Sequence, residues 1–266
     1  MIRRIVIGVI ALYGVAIVYL YWTQDGQFFP AHLIPKEAPV SGDNITPLRL
    51  NVEDNAAVLD GVLRKDEEPN ADLILYFGGN ADDATRFVLE AKALQGYDII
   101  AFNYRGYVQS TGKPSEEAFF SDALKIYDAY ARGRKVFVIG RSLGTGVATH
   151  LATKRVVDGL VLITPYDSIV SIGQRKYPFF PIALLINNPF ETINEIPLVK
   201  APIAVMEVEN DQTIPRYHLE KLIEKIPGDF LHVTLRGTTH GAVLEHPEFT
   251  GELQTILGKM NEQMLR

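Results

Sequence analysis

One stretch of the hydrophobic pattern stands apart from the rest. From Ile5 to Trp22 eighteen successive positions carry no charge, and nearly all are apolar or glycine. Coiled as a helix at about 1.5 Å per residue, such a run spans roughly 27 Å, near the hydrocarbon thickness of a bilayer. Arg3 and Arg4 precede it, while Tyr13, Tyr19, Tyr21 and Trp22 lean toward its far end. No Lys or Arg follows until Lys36. Basic residues favour the cytoplasmic side of a span, and amphipathic rings favour the interface. The pattern therefore predicts a transmembrane anchor over residues 1–22, its N-terminus cytoplasmic and the remainder extracytoplasmic, in the periplasm if the source is bacterial. A cleaved signal peptide shares the basic tip and apolar stretch, but no small-x-small site follows the run. A buried core helix is the other reading, and a uniformly apolar surface at the extreme terminus disfavours it.

Residues 23–47 are punctuated by Pro30, Pro35, Pro39, Gly42 and Pro47 and show no periodicity, which reads as a linker. From residue 48 to 266 strands and helices alternate. Leu48–Val52 and Ala57–Leu63 look like an opening pair of strands. Six short apolar runs of the buried parallel-strand kind follow: Leu73–Phe77, Ile99–Asn103, Val136–Ile139, Leu160–Thr164, Ile203–Val208 and Leu231–Leu235. Helical spacing predicts helices over Asp82–Leu94, Glu116–Ala131, Gly144–Lys154, Arg216–Ile226 and Pro247–Leu265. This is the signature of an α/β domain: a mostly parallel sheet of about eight strands covered by helices on both faces. Ligands bind such sheets at the carboxyl ends of the strands, so the chemistry belongs in the loops there.

Composition narrows the classes. The chain has 266 residues, no cysteine, 47% apolar and 22% charged residues, and a formal net charge of −6. Without cysteine there is neither a disulfide framework, a Cys-ligated metal site nor a thiol nucleophile. The acidic balance opposes nucleic acid as a partner. Setting Arg3 and Arg4 aside leaves 24 basic against 32 acidic residues, a −8 domain behind a +2 tip.

Gly140-Arg141-Ser142-Leu143-Gly144 lies between a predicted strand and a predicted helix, the G-x-S-x-G pattern of a nucleophile elbow. A sharp turn there exposes a strained serine, needs small neighbours where strand and helix crowd, and aims helix N-terminal amides at developing negative charge. The alternative is a Gly-rich turn with a solvent serine. A serine nucleophile needs a base, and five histidines follow it. His150 falls inside the next helix, His218 begins another, His232 lies in a strand and His246 opens the last helix. His240 follows the last strand in Gly237-Thr238-Thr239-His240-Gly241 and is the expected base. The acid that orients it is expected at Asp211, after Ile203–Val208, with Asp167 and Glu209 as rivals and a helix N-cap as its structural reading. The oxyanion needs two donors. One is the backbone N–H of Leu143, and the other comes from the loop Gly78-Gly79-Asn80-Ala81-Asp82, from Asn80 or its neighbour. Neither G-x-G-x-x-G nor G-x-x-x-x-G-K-[ST] occurs, so no nucleotide cofactor is expected, and triad chemistry needs no metal.

These motifs resemble the α/β-hydrolase superfamily. The resemblance rests on Tyr76-Phe77-Gly78-Gly79-Asn80-Ala81, Asn103-Tyr104-Arg105-Gly106-Tyr107, Gly112-Lys113-Pro114-Ser115-Glu116, the serine elbow, Asp211 to Pro215 and His240-Gly241. It covers about Leu48 to the C-terminus. Within the superfamily the chain is similar to small, often membrane-anchored serine hydrolases, among them palmitoyl-protein thioesterases and lysophospholipid or acylglycerol lipases. The resemblance implies a Ser142–His240–Asp211 triad, an oxyanion hole of the Asn80 and Leu143 amides, and hydrolysis of a carboxyl ester or thioester of an acyl, lipid-like substrate through an acyl-enzyme. A peptidase or amidase on the same triad is the alternative, and a non-catalytic hydrolase-like binding protein the next. Three departures stand out: Gly78 where many relatives have His, Val108 where many have Gly, and Glu207-Val208 where His-Gly precedes the acid. Arg105 is expected to fix its loop rather than touch substrate. Residues 168–200, with Tyr177-Pro178-Phe179-Phe180-Pro181-Ile182, read as a small cap that lines an acyl pocket, touches the membrane or simply packs on the sheet.

Overall fold

A computed structural model describes residues 1–34, 38–52 and 57–264. Eight strands form one sheet: β1 (Ile45–Val52), β2 (Ala57–Arg64), β3 (Asp72–Phe77), β4 (Tyr97–Phe102), β5 (Val136–Arg141), β6 (Gly159–Ile163), β7 (Ile203–Val208) and β8 (Leu231–Leu235). Their order is β1-β2-β4-β3-β5-β6-β7-β8. β1 and β2 join the edge antiparallel, and every pairing from β4 to β8 is parallel. The helices are α1 (Ile2–Phe28), α2 (Phe87–Glu90), α3 (Glu116–Tyr130), α4 (Leu143–Lys154), α5 (Ile169–Lys176), α6 (Ile182–Leu185), α7 (Thr192–Glu195), α8 (Arg216–Ile223) and α9 (Phe249–Met264). This is the α/β-hydrolase fold.

Strand alternation divides the core. Successive side chains on a strand point to opposite faces. Leu73, Leu75 and Phe77 of β3 thus join one buried cluster with Val136, Val138, Leu160 and Leu162, which α3, α4 and α8 cover. Ile74 and Tyr76 join the other with Phe137, Ile139, Val161 and Ile163. There α9 lays down Phe249, Leu253, Ile256, Leu257 and Met260, an apolar stripe at helical spacing. All residues of β5 and β6 are buried, which explains why these strands read as continuous apolar runs.

Three expectations change. The first helix does not stop at Trp22 but runs to Phe28, so residues 23–28 are helical rather than linker. Its last turn is held by the cap: Gln24 donates to Leu185 O (2.8 Å) and accepts from Asn187 N (2.8 Å), and Asp25 accepts from Asn188 Nδ2 (2.9 Å). The strand after it begins at Ile45 rather than Leu48. The helix predicted over Asp82–Leu94 shrinks to a 3₁₀ turn, Ala84–Arg86, followed by the single turn of α2. Arg64 is the physical reason for the early end after Glu90. Its buried guanidinium takes the carbonyls of Ala91, Leu94 and Tyr97 (2.6, 2.9 and 3.1 Å), and a side chain there substitutes for helical hydrogen bonding.

α1 is the one helix among the described residues that is long and apolar enough to cross a membrane, and none of its most apolar stretch is buried. Between β6 and β7 the chain makes α5, α6 and α7, which form the cap. Ser168 caps α5, its hydroxyl accepting from Ser171 N at 3.0 Å.

Candidate active site

The strand-to-helix turn at β5–α4 has no room to spare. A Cβ on Gly140 would lie 2.3 Å from Gly144 O, and one on Gly144 would lie 2.1 Å from Phe77 O. Both glycines of the motif are therefore steric necessities. Between them Ser142 takes φ 48°, ψ −118°, a left-handed conformation that costs a non-glycine residue on the order of 1–3 kcal/mol. The strain is held by its own backbone bonds: Ser142 N donates to Ile163 O (2.9 Å) and Ser142 O accepts from Thr145 N (2.9 Å). The next residue, Leu143, opens α4, so its N–H is among the unpaired donors of the helix start.

His240 and Asp211 arrive from the ends of β8 and β7. His240 Nε2 lies 2.9 Å from Ser142 Oγ, and His240 Nδ1 lies 2.7 Å from Asp211 Oδ2. An ionised carboxylate only accepts, so Nδ1 carries the proton and Nε2 accepts from the serine hydroxyl. Asp211 Oδ1 accepts from Thr213 N (2.9 Å) and Ile214 N (2.7 Å), which fixes the carboxylate plane. Asp211 is not a helix cap: α8 begins at Arg216 with Pro215 at the cap position and no side-chain cap.

The rivals are engaged elsewhere. Asp167 and His218 are both buried and meet each other, Oδ1 to Nδ1 at 2.8 Å. Glu209 accepts from Gly237 N at 3.4 Å. His150 stacks on Phe120 and pairs with Glu195 at 2.8 Å. His232 meets Glu207 at 3.2 Å, and His246 meets Arg236 O at 3.1 Å.

The loop after β3 stands beside the serine. A Cβ on Gly79 would be 3.4 Å from Ser142 Cβ. The Asn80 side chain is committed to the scaffold, accepting from Tyr107 Oη (2.6 Å) and donating to Phe28 O (2.6 Å). Any role in the reaction therefore falls to its backbone N–H. Tyr104 donates to Gly78 O at 2.9 Å. Burial, the largest effect on both phenols, pushes Tyr104 and Tyr107 far above their ordinary range, so both remain donors at any working pH.

Sequence reasoning missed the clamp under the site. Arg141, the variable residue of the elbow motif, is buried and pairs with Asp82, whose Oδ2 also accepts from Gly79 N (2.8 Å). The other arm of Arg141 donates to His240 O (3.0 Å) and Gly241 O (3.2 Å). One guanidinium thus ties the glycine loop to the histidine loop. Desolvation alone would lower the Arg141 pKa, but the Asp82 carboxylate and the Tyr76 hydroxyl outweigh it and hold the group charged. A charged residue inside a buried elbow requires a counter-ion, but the sequence does not say which of the distant carboxylates supplies it.

The departures have local explanations. Gly78 is tightly packed, since a Cβ there would approach Ala84 Cβ to 3.0 Å. Val108 sits at φ 50°, a strained conformation for a β-branched residue. Glu207 is buried and accepts from Thr234 Oγ1 at 2.9 Å. Arg105 forms a buried two-pronged pair with Asp122, Nε–Oδ2 2.7 Å and Nη2–Oδ1 2.6 Å, and so braces its loop.

Comparison with known proteins agrees with this fold. The family described as the alpha/beta hydrolase fold matches residues 73–185. An uncharacterized protein of Mycobacterium tuberculosis is 26% identical over 248 residues, covering 88% of this chain and 87% of its own length. The lysophosphatidylserine lipase ABHD12 of Xenopus tropicalis is 29% identical over 230 residues, covering 72% of this chain and 58% of the lipase. Among solved structures, an alpha-beta hydrolase of Vibrio vulnificus has a TM-score of 0.67 at 17% identity, with 91% of each chain covered, a likeness of fold. The chain has the α/β-hydrolase fold, and residues 73–185 match the family of that description.

Proposed function

We propose that this enzyme cleaves a carboxyl ester or thioester of an acyl lipid through an acyl-enzyme on Ser142. The observation that carries the reading is the continuous relay Ser142 Oγ–His240 Nε2–Asp211 at 2.9 and 2.7 Å. The name of the Xenopus relative, a lysophosphatidylserine lipase, supports the lipid character of the substrate. In the first half-reaction His240 Nε2 takes the Ser142 proton as Oγ attacks the carbonyl carbon. The tetrahedral oxyanion is met by the N–H groups of Leu143 and Asn80. His240 then passes its proton to the leaving alcohol or thiol, and the acyl group stays on Ser142. Water repeats the sequence and releases the acid. Asp211 stays ionised throughout and stabilises the imidazolium. No step draws on a metal or cofactor.

Turnover of p-nitrophenyl esters by the full-length protein tests this. Ser142→Ala should lower kcat on the order of 10⁴-fold or more with the fold intact. Anilide substrates cleaved faster than esters would move the enzyme to the amidase class instead.

The same reading makes α1 a signal-anchor, residues 29–44 a connector and the remainder the catalytic domain, with a cytoplasmic N-terminus and an extracytoplasmic catalytic domain. The bias of Arg3 and Arg4 supports the orientation. A reporter after Arg266 that works only outside the cytoplasm is the expected result, and cytoplasmic activity would reverse it.

A further inference from the structure

The cap does not merely sit on the sheet. Its tip packs along α1, and the level at which it does so is informative. Tyr13 Oη donates to Phe179 O at 2.6 Å, and the Tyr13 and Phe180 rings stack with centroids 5.4 Å apart. Tyr13 stands nine residues before Trp22, roughly 13 Å along the helix axis and well inside the uncharged run. If α1 spans the bilayer, the tip of the cap lies within the hydrocarbon of one leaflet.

The cap is built for that position. From Tyr177 to Phe190 there is no charged residue, and Arg175 and Lys176 stand just before this stretch. Phe179 and Leu184 are 86% and 84% exposed, a poor arrangement in water and a natural one in lipid. Lipid also demands that backbone polar groups find partners within the protein. Pro178 and Pro181 have no N–H. The Phe179 carbonyl has Tyr13, the Phe180 carbonyl has Gln174 Nε2 (3.0 Å), the Leu185 carbonyl has Gln24 Nε2 (2.8 Å), and the amides of Phe180, Leu184 and Ile186 bond within the segment.

Between this tip and the end of α1 lies a cavity of about 310 Å³. Its walls are mostly apolar: Leu20 and Phe28 from α1 face Ile169, Ile172, Ile182 and Leu185 from the cap. Pockets for organic ligands begin near this size and share this lining. One of its lining residues bonds to the loop beside the serine: Phe28 O accepts from the side chain of Asn80, whose neighbour Gly79 abuts Ser142.

We propose that this cavity holds the acyl chain of a bilayer-resident single-chain substrate, that α1 is one wall of the acyl site, and that the cap tip is inserted in the leaflet so that the chain enters sideways from lipid. The proposal rests on the ester-hydrolase reading above and names the part of the substrate that the enzyme measures. α1 is then a specificity element as well as an anchor.

The test uses the full-length protein in phosphatidylcholine vesicles and has two arms. The first compares p-nitrophenyl palmitate with p-nitrophenyl butyrate. Leu20→Trp, which fills the cavity from α1, should lower the palmitate-to-butyrate ratio of kcat/KM at least tenfold, and Ile172→Trp should do so from the opposite wall. Should one variant fail to fold, the other decides. The second arm is independent of catalysis. Trp22 is the chain's single tryptophan, so Trp22→Phe combined with Phe179→Trp reports on the cap alone. Its emission should be blue-shifted and quenched by acyl-chain-brominated lipid. An unchanged chain-length ratio in both variants, or unquenched water-like emission from position 179, overturns the proposal. A wild-type enzyme that turns over neither ester counts against the hydrolase reading instead, and the quenching arm still decides where the cap lies.

Discussion

At the scale of single residues, the site selects among chemically equivalent candidates by packing. Asp211 and Asp167 both follow strand ends, and only Asp211 reaches the imidazole of His240, while Asp167 is sealed against His218. Asp211→Asn should therefore lower kcat on the order of 10⁴-fold, because the asparagine amide favours the wrong imidazole tautomer. Asp167→Asn should leave kcat per folded molecule within about threefold and act on stability, since it disturbs a buried pair. Steady-state kinetics with thermal melts separates the two, and the opposite ranking would move the acid to Asp167. The residues of the elbow, the histidine loop and the glycine loop were legible in sequence because their chemistry demands small neighbours and strand-end placement. Arg141 was not, since the position it occupies is the variable one and its partner Asp82 lies 59 residues away.

At the scale of elements, hydrophobic period located all eight strands and the long helices α1, α3, α4, α8 and α9, but not the short cap helices α5, α6 and α7. It failed where a side chain takes over backbone hydrogen bonding, as Arg64 does after α2, and where a helix is prolonged by tertiary partners, as α1 is by Gln24 and Asp25. The contact between α3 and the cap carries a consequence for pH. Glu116 opens α3 and accepts from Phe190 N at 2.9 Å. Burial, assisted by Glu195 and Glu191 and opposed by that hydrogen bond and by His150, pushes its pKa from 4.5 up to about 7. The folded state therefore holds this proton more tightly than the unfolded chain. The stability it contributes is full below about pH 4.5 and is lost as pH rises through 7. Relative to Glu116→Gln, the Tm of the wild-type protein should fall between pH 5 and pH 8. Parallel melts at the two values check this, and parallel pH profiles for the two proteins would show that Glu116 titrates normally.

At the scale of the whole molecule, the two halves of the sequence serve one site. The apolar N-terminal run was legible as a span from composition alone. Its continuation into the domain was not, because the contacts that make it so join residues more than 160 positions apart, Tyr13 to Phe179 and Gln24 to Leu185. Sequence period reports local burial and carries no signal for such pairings. The same holds for the clamp between the glycine and histidine loops, which closes the sheet end on which the chemistry is built. What the whole assembly is for turns on whether Ser142 is the nucleophile. Intact-protein mass spectrometry after reaction with a fluorophosphonate tests that most directly. The account predicts a single adduct on the full-length protein, mapped to the peptide carrying Gly140 to Gly144 and absent from Ser142→Ala. A folded wild-type protein that stays unmodified, or an adduct that survives that substitution, would contradict it.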